Sequence, residues 1–499
     1  MRLLSKSKLL AYRQCPKRLW LEVHRPELRE DSAATQASFM LGHEVGERAR
    51  ALYDPRGVGE LLDPHAEGFD QAVARTQQLL ARRQPIFEAA FRTENALALA
   101  DVMLPSTRNG KRDWRMIEVK SSTEVKDYHL DDVAVQSFVS RSAGVVLTGI
   151  ALAHIDSSWV YPGAGDYTGL LRENDLTSEA FDRHDEVCGW VAAAHKIVAR
   201  RREPAEQTGE QCLDPYECGF LPYCQSQEPQ AQHPVHWLPR RGAKLKAHIA
   251  QHGLVEIRDV PDHLLNDTQR RVKAVTLSGK PYFDRAAAAR ELAHRRRPAY
   301  FLDFETVLFA VPIWKGTRPY QQIPFQFSVH RLSARGKLTE RSFLDLSGGD
   351  PSRPFAEALI QACGEHDDPI FVYNAAFEKT RIRELAERFP RLAKPLRRII
   401  ERIVDLLPIA RAHYYHPSQE GSWSIKAVLP AVCPDLSYDD LVGVQDGGMA
   451  MQAYRECIAA DTTSARKAEI KQQLLAYCRM DTYAMVRLWS VFSNTPLKG

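Results

Sequence analysis

Residues 300–306 read Tyr-Phe-Leu-Asp-Phe-Glu-Thr, an apolar run that contains two acidic residues near its end. A short apolar run of this kind is typical of a buried β-strand. Side chains alternate between the two faces of a strand, so Asp303 and Glu305 project from the same face. The sequence therefore predicts a buried strand with a pair of carboxylates on one face, within an α/β fold.

Two further stretches of the same region place functional groups at helical spacing. Asn374 and Glu378 are four residues apart, as are Tyr477 and Asp481, so each pair shares one face of a predicted helix. Four carboxylates brought together would repel one another unless divalent cations neutralised them. Two metal ions in such a site can hydrolyse a phosphodiester, one by activating water and the other by stabilising the leaving oxygen. The pattern predicts such a site, with Tyr477 orienting the water.

The ordered set Asp-x-Glu, Asn-x-x-x-Glu and Tyr-x-x-x-Asp resembles the tyrosine-bearing DEDD variety of DnaQ-like 3′→5′ exonucleases, over residues 299–492. The resemblance implies an RNase H-like mixed-sheet domain at residues 299–499, with Mg²⁺ or Mn²⁺ as its cofactor. An RNase H-like domain that only binds nucleic acid is the alternative. The implied metal ligands and water-orienting residue are Asp303, Glu305, Glu378, Asp481 and Tyr477.

Glu378 departs from this family pattern, since the third acid of such enzymes is usually Asp. The additional methylene group displaces the carboxylate relative to that of an aspartate. Asp405, in the stretch Val-Asp-Leu-Leu at residues 404–407, occurs where such enzymes often carry a further Asp. We predict a structural role for Asp405.

The cysteines of the chain are unevenly placed. Cys212, Cys218 and Cys224 lie in one turn-rich stretch, with five residues between each pair. Clustered cysteines in a cytoplasmic protein indicate metal or cluster ligands rather than disulfides. Zinc and iron–sulfur centres usually take four thiolates, and Cys15, followed by Pro16, is the fourth candidate. The other cysteines are predicted to be structural: Cys188, Cys363, Cys433, Cys457 and Cys478.

A second acidic pattern lies in the N-terminal half. Asp101 falls on a predicted strand at 96–104, and Glu118 and Lys120 share one face at the end of the next strand, after an Asn109-Gly110 turn. Two carboxylates on adjacent strands can hold a divalent cation, while a lysine orients water or stabilises charge on a phosphate. Taken alone, the pattern also fits any β-hairpin with charged residues on its solvent face.

The four cysteines and these acids resemble the RecB/AddB-type nucleases of the PD-(D/E)XK superfamily, particularly the iron–sulfur members found with CRISPR systems. The resemblance covers residues 1–225 and implies a restriction-endonuclease-like domain, at residues 1–230, whose ends are joined by a [4Fe–4S] cluster. Zinc is the competing occupant. The implied cluster ligands are Cys15, Cys212, Cys218 and Cys224. The implied metal ligands and catalytic residues are His43, Asp101, Glu118, Lys120 and Gln136.

His43 and Gln136 depend most on this resemblance. A histidine on a helix face whose ring is satisfied by ordinary contacts, without a metal, is the alternative for His43. The family often carries a Tyr four residues after the Gln, whereas this chain has Ser140 there and Tyr128 upstream. The cysteine spacing is also wider than the commonest family pattern.

The positive charge of the chain is concentrated in its middle. Residues 231–300 contain 14 Lys and Arg against 6 Asp and Glu. We predict a basic helical linker at 231–298, between the two nuclease-like domains. Runs such as Arg295-Arg296-Arg297 suit contacts with phosphates. A solvated linker explains the same charge.

Composition limits the class of protein. The 499 residues are 44% hydrophobic and 26% charged, which excludes a wholly disordered chain, a collagen and a coiled-coil rod. No stretch reaches the roughly 20 apolar residues of a membrane span. The N-terminal residues carry charges where a signal peptide would be apolar, so we predict a cytoplasmic protein. Hydrophobic periodicity predicts long helices at 5–23, 178–202, 395–412 and 464–495.

Together the two halves resemble a poorly characterised bacterial family that joins both nuclease types in one chain. The favoured hypothesis is a metal-dependent nuclease that acts on nucleic acid, with DNA favoured over RNA. The rival hypothesis is a non-catalytic nucleic-acid-binding protein in which one or both domains are inactive scaffolds. Neither hypothesis involves a membrane, and protein partners are not predicted.

Overall fold

The computed structural model describes residues 3–108, 110–295, 297–364 and 366–497. It has an α/β fold with mixed sheets and divides into two compact units. The first unit consists of Met1–Gln230 and Phe309–Gln321, and the second of Ala231–Leu308 and Gln322–Gly499. The basic stretch 231–298 therefore lies in the second unit. No described helix is both long and apolar enough to cross a membrane.

The first unit is built on a seven-stranded sheet. Its strand order is β2-β3-β4-β5-β6-β7, and β1 pairs with β4. The strands are β1 (Leu4–Ser5), β2 (Glu60–Leu61), β3 (Ile86–Arg92), β4 (Ala96–Arg108), β5 (Lys111–Lys120), β6 (Leu147–Ile155) and β7 (Leu171–Asp175). The helices are α1 (Lys6–Gln14), α2 (Pro16–His24), α3 (Ala33–Tyr53), α4 (Phe69–Arg82), α5 (Asp127–Ser142), α6 (Thr177–Asp182), α7 (His184–Val198) and α8 (Leu221–Ser226).

The centre of this sheet matches the predicted hairpin and positions the N-terminal acids. Strands β4 and β5 pair antiparallel, and β6 runs parallel to β5. Helix α5 packs against β4 and β6, and α3 packs against β5. Asn109 of the predicted turn lies outside the described residues, as does Arg296 of the basic run.

The prediction of one helix from residue 5 to residue 23 is wrong, because this stretch forms the two helices α1 and α2. Ser5 caps the first, and its Oγ accepts a hydrogen bond from the Lys8 N–H at 3.3 Å. Cys15 separates the two with an extended backbone, φ −162° and ψ 124°. The reason is Pro16, whose ring disfavours helical geometry in the residue before it and which suits the first position of a new helix.

The second unit contains a five-stranded sheet and a short two-stranded one. Its strands are β8 (Tyr282–Phe283), β9 (Ala299–Val307), β10 (Ile323–Leu332), β11 (Leu338–Leu344), β12 (Ile370–Val372), β13 (Ile403–Asp405) and β14 (Tyr414–Tyr415). Its helices are α9 (Ala243–His252), α10 (Asp267–Ser278), α11 (Arg285–Glu291), α12 (Ser352–Cys363), α13 (Ala376–Arg388), α14 (Ala393–Arg402), α15 (Leu407–His413), α16 (Ile425–Val432), α17 (Gly447–Ile458) and α18 (Ser464–Phe492).

Strand β9, which carries the quoted Tyr-Phe-Leu-Asp-Phe-Glu-Thr run, is the centre of the larger sheet. The strand order is β11-β10-β9-β12-β13. Strand β10 pairs antiparallel with β9 and β11, whereas β12 runs parallel to β9 and β13. Helix α18 packs against β9 and β10. The sheet is therefore mixed, and its central strand lies beside the longest C-terminal helix.

Two other predicted helices are interrupted. The pattern at 178–202 forms α6 and α7, which meet at Arg183 and end at Val198. The pattern at 395–412 forms α14 and α15, separated by β13. That strand pairs with β12 and buries Ile403, so sheet pairing overrides the local helical pattern there.

Candidate acidic and cysteine sites

Strand β9 and helix α18 bring together the acidic residues of the second unit. Asp303 and Glu305 lie on β9, while Asp481 lies on the part of α18 that is buried. A carboxylate oxygen from each of Asp303 and Glu305 and the Sγ of Cys478 lie within 4.8 Å of one another. In the part of the chain that the structure describes, no other three candidate ligand atoms are gathered so closely. Carboxylate oxygens are suitable ligands for Mg²⁺.

Electrostatics make this acidic group unfavourable without counter-charge. Burial raises the pKa of Asp303 and of Glu305 well above the usual range, and repulsion from Asp481 raises both further. Burial also raises the pKa of Asp481, to about 6. A divalent cation would relieve this repulsion, which is the property expected of a metal site.

Glu378 lies in the first turn of α13, with its side chain buried. Burial raises its pKa to about 8, and the nearby Asp405 contributes. Among the described residues its Oε2 has no hydrogen-bond partner. Its charge also raises the pKa of Asp303, which places it beside the acids of β9. A buried carboxylate oxygen without a donor is a candidate metal ligand.

Asp405 has the structural role predicted for it. Its carboxylate accepts hydrogen bonds from the N–H groups of Asn374, Ala375 and Leu407, at 2.9 to 3.0 Å. Asn374 has a φ of +80°, a left-handed conformation that asparagine tolerates better than most residues. Asp405 therefore fixes the turn that leads from β12 into α13 and positions Glu378.

Two residues of this site were not predicted. The Tyr438 Oη donates a hydrogen bond of 2.5 Å to Asp481 Oδ1. The Lys426 Nζ lies 5.6 Å from the ring centroid of Tyr438 and 5.4 Å from that of Tyr477. Lys426 is a positive charge that lowers the pKa of Asp481. The sequence gives little indication of either residue, because the spacing of Lys426 and Tyr438 along the chain does not link them to the acids.

Tyr477 and Cys478 are consecutive residues of α18, and both face the acids. Burial raises the pKa of Tyr477, and the charges of Asp481 and Glu305 raise it further, so its hydroxyl lies near these acids. The Cys478 Sγ lies 3.7 Å from the Asp303 carbonyl oxygen and 4.0 Å from Asp303 Oδ2. Cys478 is buried, as predicted for a structural cysteine, but it also borders the acidic group.

The raised pKa values predict how stability depends on pH in the metal-free protein. Acids whose pKa is higher in the folded chain bind more protons there, so unfolding becomes easier as the pH rises through that window. We expect the second unit to lose stability between pH 3.8 and about 8, from the ordinary pKa of Asp481 to the raised pKa of Glu378. Thermal unfolding in EDTA at pH 5 and pH 8 measures this. Addition of Mg²⁺ at pH 8 should raise the transition temperature, and equal stability at both pH values would contradict the prediction.

In the first unit, β4 and β5 place the predicted acids and lysine at one cavity. Asp101 lies on β4, and Glu118 and Lys120 lie on one face of β5, where their side chains contact each other at 2.5 Å. All three line a cavity of about 430 Å³. The Asp101 Oδ2 accepts a hydrogen bond of 2.8 Å from the Val119 N–H, which fixes the carboxylate beside β5.

Lys6 and Asp132 join this site from segments that sequence analysis did not connect with it. The Lys6 Nζ lies 3.0 Å from Glu118 Oε1 and 2.8 Å from Asp132 Oδ1. Lys120 contacts the same two carboxylates. Burial alone would lower the pKa of Lys6, but Asp132 and Glu118 raise it above its usual value. The two lysines and two acids form a closed ring of four charges.

The structure places Gln136 and His43 in different environments. These are the two site residues whose prediction depended most on the family resemblance. Gln136 is buried on α5, and its Nε2 donates to Glu118 Oε2 and, at 2.8 Å, to the Leu99 carbonyl. His43 lines the same cavity as Glu118, but its imidazole is exposed and lies 3.4 Å from Glu47. Gln136 thus orients the central carboxylate, while metal binding by His43 stays a prediction.

Glu88 is a further acid at this cavity that the sequence did not indicate. It lies on β3 with a φ of +56°, a strained conformation for a residue other than glycine. Burial raises its pKa, and the Glu118 carboxylate raises it further. Such strain persists only where surrounding packing maintains it, and here it places Glu88 beside the cavity.

The four cysteines predicted as ligands line one small cavity of about 20 Å³, and Lys17 and Arg18 border it. Burial raises the pKa values of the Cys15, Cys218 and Cys224 thiols, the last to about 11. Backbone N–H groups of the first turn of α2 lower that of Cys15, and Arg18 lowers that of Cys218. The positive groups suit a centre in which thiolates carry negative charge.

Residues 300–424 match the family described as a domain of unknown function, DUF2779. The match includes Asp303, Glu305 and Glu378 but stops before Lys426, Tyr438 and the acidic end of α18. No curated protein matches the chain. The matched range falls within the second unit except for Phe309–Gln321, which belong to the first, and the family description assigns it no activity.

Proposed function

We propose that the chain is a metal-dependent nuclease whose second unit is an RNase H-like 3′→5′ exonuclease. The observation that carries the proposal is the buried group formed by Asp303, Glu305 and Asp481 on a central strand and its packed helix. Glu378 and Tyr477 complete the ordered set. Divalent cations would relieve the repulsion within this group, and a pair of them can catalyse phosphodiester hydrolysis.

Each residue of the acidic site in the second unit has a separate proposed role in this reaction. Asp303, Glu305, Glu378 and Asp481 would hold two Mg²⁺ or Mn²⁺ ions, which supply an activated water and stabilise the leaving oxygen. Tyr477, whose hydroxyl lies near Asp481, would orient the attacking water. Tyr438 holds Asp481 in place through its short hydrogen bond. Lys426 supplies positive charge toward the phosphate.

The first unit is proposed as a second nuclease of the PD-(D/E)XK kind. Asp101 and Glu118, with His43 at the cavity rim, would hold a divalent ion whose chemistry is to activate water. Lys120 offers its ammonium group to the phosphate, and Gln136 orients Glu118. The cavity of about 430 Å³ is large enough to admit a nucleotide phosphate and its metal. Nucleic acid is the proposed partner of both units, with DNA favoured.

We further propose that the four cysteines hold a [4Fe–4S] cluster rather than zinc. Four thiolates at the Zn–S distance of about 2.3 Å would lie about 3.8 Å apart. Among the described residues, three ligand atoms within 4.8 Å of one another occur only in the Asp303 group, so the cysteine sulfurs are spread more widely. A [4Fe–4S] cluster also takes four cysteine thiolates, and Cys15, Cys212, Cys218 and Cys224 would hold it.

Iron content tests the assignment of the cysteine centre. Protein purified without oxygen should be brown and contain about four irons per chain. The matched variant Cys218→Ser should lose the colour, whereas Cys188→Ser, at an exposed cysteine outside the cavity, should keep it. Metal analysis and visible absorbance make the measurement. Colourless protein with one zinc per chain would refute the cluster.

Degradation of labelled strands by the full chain tests the nuclease proposal. DNA and RNA, single- and double-stranded, are incubated with Mg²⁺ or Mn²⁺, and binding is measured in parallel in EDTA. Release of mononucleotides from a 3′-labelled strand is the expected result for the second unit. A chain that is folded and binds the strand, yet releases nothing with either metal, is a binding protein and not a nuclease.

Glu378→Asp tests whether the departure from the family pattern matters. The substitution restores the usual acid at a position with a buried, unpartnered oxygen, so the rate of 3′ release should hold or rise. Glu387→Asp, an exposed position on the same helix, is the matched control and should leave the rate unchanged. A loss of more than about tenfold in Glu378→Asp alone would show that the longer side chain is required.

A further inference from the structure

Helix α1 spans the distance between the cysteine cavity and the acidic site of the first unit. Its first residue, Lys6, contacts Glu118 and Asp132. The residue that follows its last turn is Cys15, which lines the cysteine cavity. Nine helical residues rise about 13 Å, so one rigid element reaches both places.

The C-terminal end of α1 is bound to the loop that carries the other cysteines. The Gln14 Nε2 donates hydrogen bonds to the carbonyl oxygens of Gln211 at 2.7 Å and Tyr216 at 2.8 Å. Gln211 directly precedes Cys212, and Tyr216 lies between Cys212 and Cys218. Within this stretch the Cys218 N–H donates a hydrogen bond of 2.8 Å to the Cys212 carbonyl oxygen. The position of this loop and the position of the helix end are therefore mutually dependent.

The body of α1 is packed tightly enough to act as a rigid connection. Leu9 and Ala11 are fully buried. The Arg13 Nε bonds to Asp131 Oδ2 at 2.9 Å, and Asp131 is the neighbour of Asp132 on α5. A displacement of one end of such a helix is transmitted to the other end, since packed cores do not deform gradually.

We propose that α1 couples the four-cysteine centre to the acidic site of the first unit. With the centre formed, the helix holds Lys6 between Glu118 and Asp132; without it, the cysteine loop and the helix end loosen, and Lys6 leaves the ring of charges. The proposal rests on the nuclease function proposed for this site. Lys6 is a positioning residue, because it acts on the site through Glu118 and Asp132.

The coupling has a definite consequence for the neighbouring lysine. Lys120 and Lys6 share both carboxylates, so loss of Lys6 leaves Lys120, among the residues that the structure describes, as the one ammonium group paired with them. Lys120, which already contacts both carboxylates, is then held more strongly by them, and its ammonium group is less available to a substrate phosphate. Misplacement of a catalytic group by about 1 Å costs about 100-fold in rate.

Hydrogen exchange in the full chain tests the coupling independently of catalysis. In Cys218→Ser, the amides of residues 6–14 and of β5 should exchange about tenfold faster than in the unaltered chain, because local opening becomes easier. Exchange in β9 and α18 of the second unit should not change, which provides an internal control. If Cys218→Ser does not fold, removal of the centre from the unaltered protein with a chelator permits the same measurement.

The variant Lys6→Met distinguishes the effect of Lys6 on the acidic site from the effect of losing the cysteine centre. This variant should keep the metal content of the cysteine centre and lose about 100-fold of the N-terminal nuclease rate. Lys6→Arg should restore part of that rate, and Lys8→Met, on the same helix, is the control that should change nothing. Unchanged exchange of residues 6–14 after loss of the centre would overturn the coupling. A different result would refute the nuclease function of this site. In that case residues 6–14 exchange faster once the centre is lost, but the unaltered chain with its centre in place shows no N-terminal cleavage.

Discussion

Asp303→Asn should reduce the release of nucleotides from a 3′ end by about 1,000-fold or more, because it removes a charged ligand central to the acidic group. A loss of several kcal/mol of transition-state stabilisation corresponds to a change of this size. After burial, the charges of three other acids raise the pKa of Asp303, so its charge is coupled to all of them: Asp481, Glu305 and Glu378. The measurement is single-turnover release of mononucleotides by the full chain with Mg²⁺.

The same substitution should make the metal-free protein more stable. Asp303 is held in a position where burial and neighbouring acids disfavour its charge, and asparagine removes that charge without changing the shape of the side chain. Functional sites commonly carry such unfavourable groups. Asp461→Asn, at an exposed acid of the same unit, is the matched control for both measurements. Tyr477→Phe should reduce the rate less than Asp303→Asn, since only a hydroxyl group is lost.

Two outcomes would count against the proposed site. If Asp303→Asn keeps the rate of the unaltered chain, the acids do not hold catalytic metal. If the variant loses both activity and stability, the loss of rate reflects unfolding, and the site is then tested by Asp481→Asn. A stable and inactive variant is the result that the structure favours.

Glu118→Gln should abolish cleavage by the first unit while leaving 3′ release by the second unchanged. Glu118 is 1% exposed, and its two oxygens contact Lys6, Lys120 and Gln136. Glutamine cannot balance the two ammonium groups or bind a divalent ion as a carboxylate does. The expected loss is about 1,000-fold in the N-terminal rate. It is measured on a substrate whose 3′ end is blocked against the second unit.

Glu118→Gln should also destabilise the first unit, in contrast to Asp303→Asn. Breaking a wholly buried ion pair costs about 3–5 kcal/mol, and we expect about 2 kcal/mol here because the Lys6 and Lys120 side chains are 19% and 23% exposed. Adding Lys6→Met to Glu118→Gln should recover part of that stability, since the unpaired charge is removed. Denaturant unfolding of the single and double variants makes the comparison. Equal stability of Glu118→Gln and the unaltered chain would contradict the ring of charges.

Local sequence patterns predicted several elements of this protein correctly. The strand with Asp303 and Glu305 on one face, and the helix that carries Glu378, were readable from spacing because both patterns span only a few residues. The hairpin that carries Asp101, Glu118 and Lys120 was readable for the same reason. The direction of successive side chains repeats regularly within a strand or a helix. It can therefore be predicted without knowing how the rest of the chain folds.

Other features depended on where distant segments pack. Lys6 lies 112 residues from Glu118 in the chain, and Tyr438 lies 43 residues from Asp481, yet each pair is in direct contact. Pro16 could have indicated the break at Cys15. The helical periodicity on both sides of it led instead to the prediction of one continuous helix.

The sequence by itself therefore determined the candidate ligands, their order and the strands or helices that carry them. Only the tertiary structure decided which charged and hydrogen-bonding groups surround them: Lys6 and Asp132 in the first unit, and Lys426 and Tyr438 in the second. The physical reason is that spacing along the chain sets the direction of a side chain within its own element. Which elements then meet is set by the burial of apolar surface from all of them together.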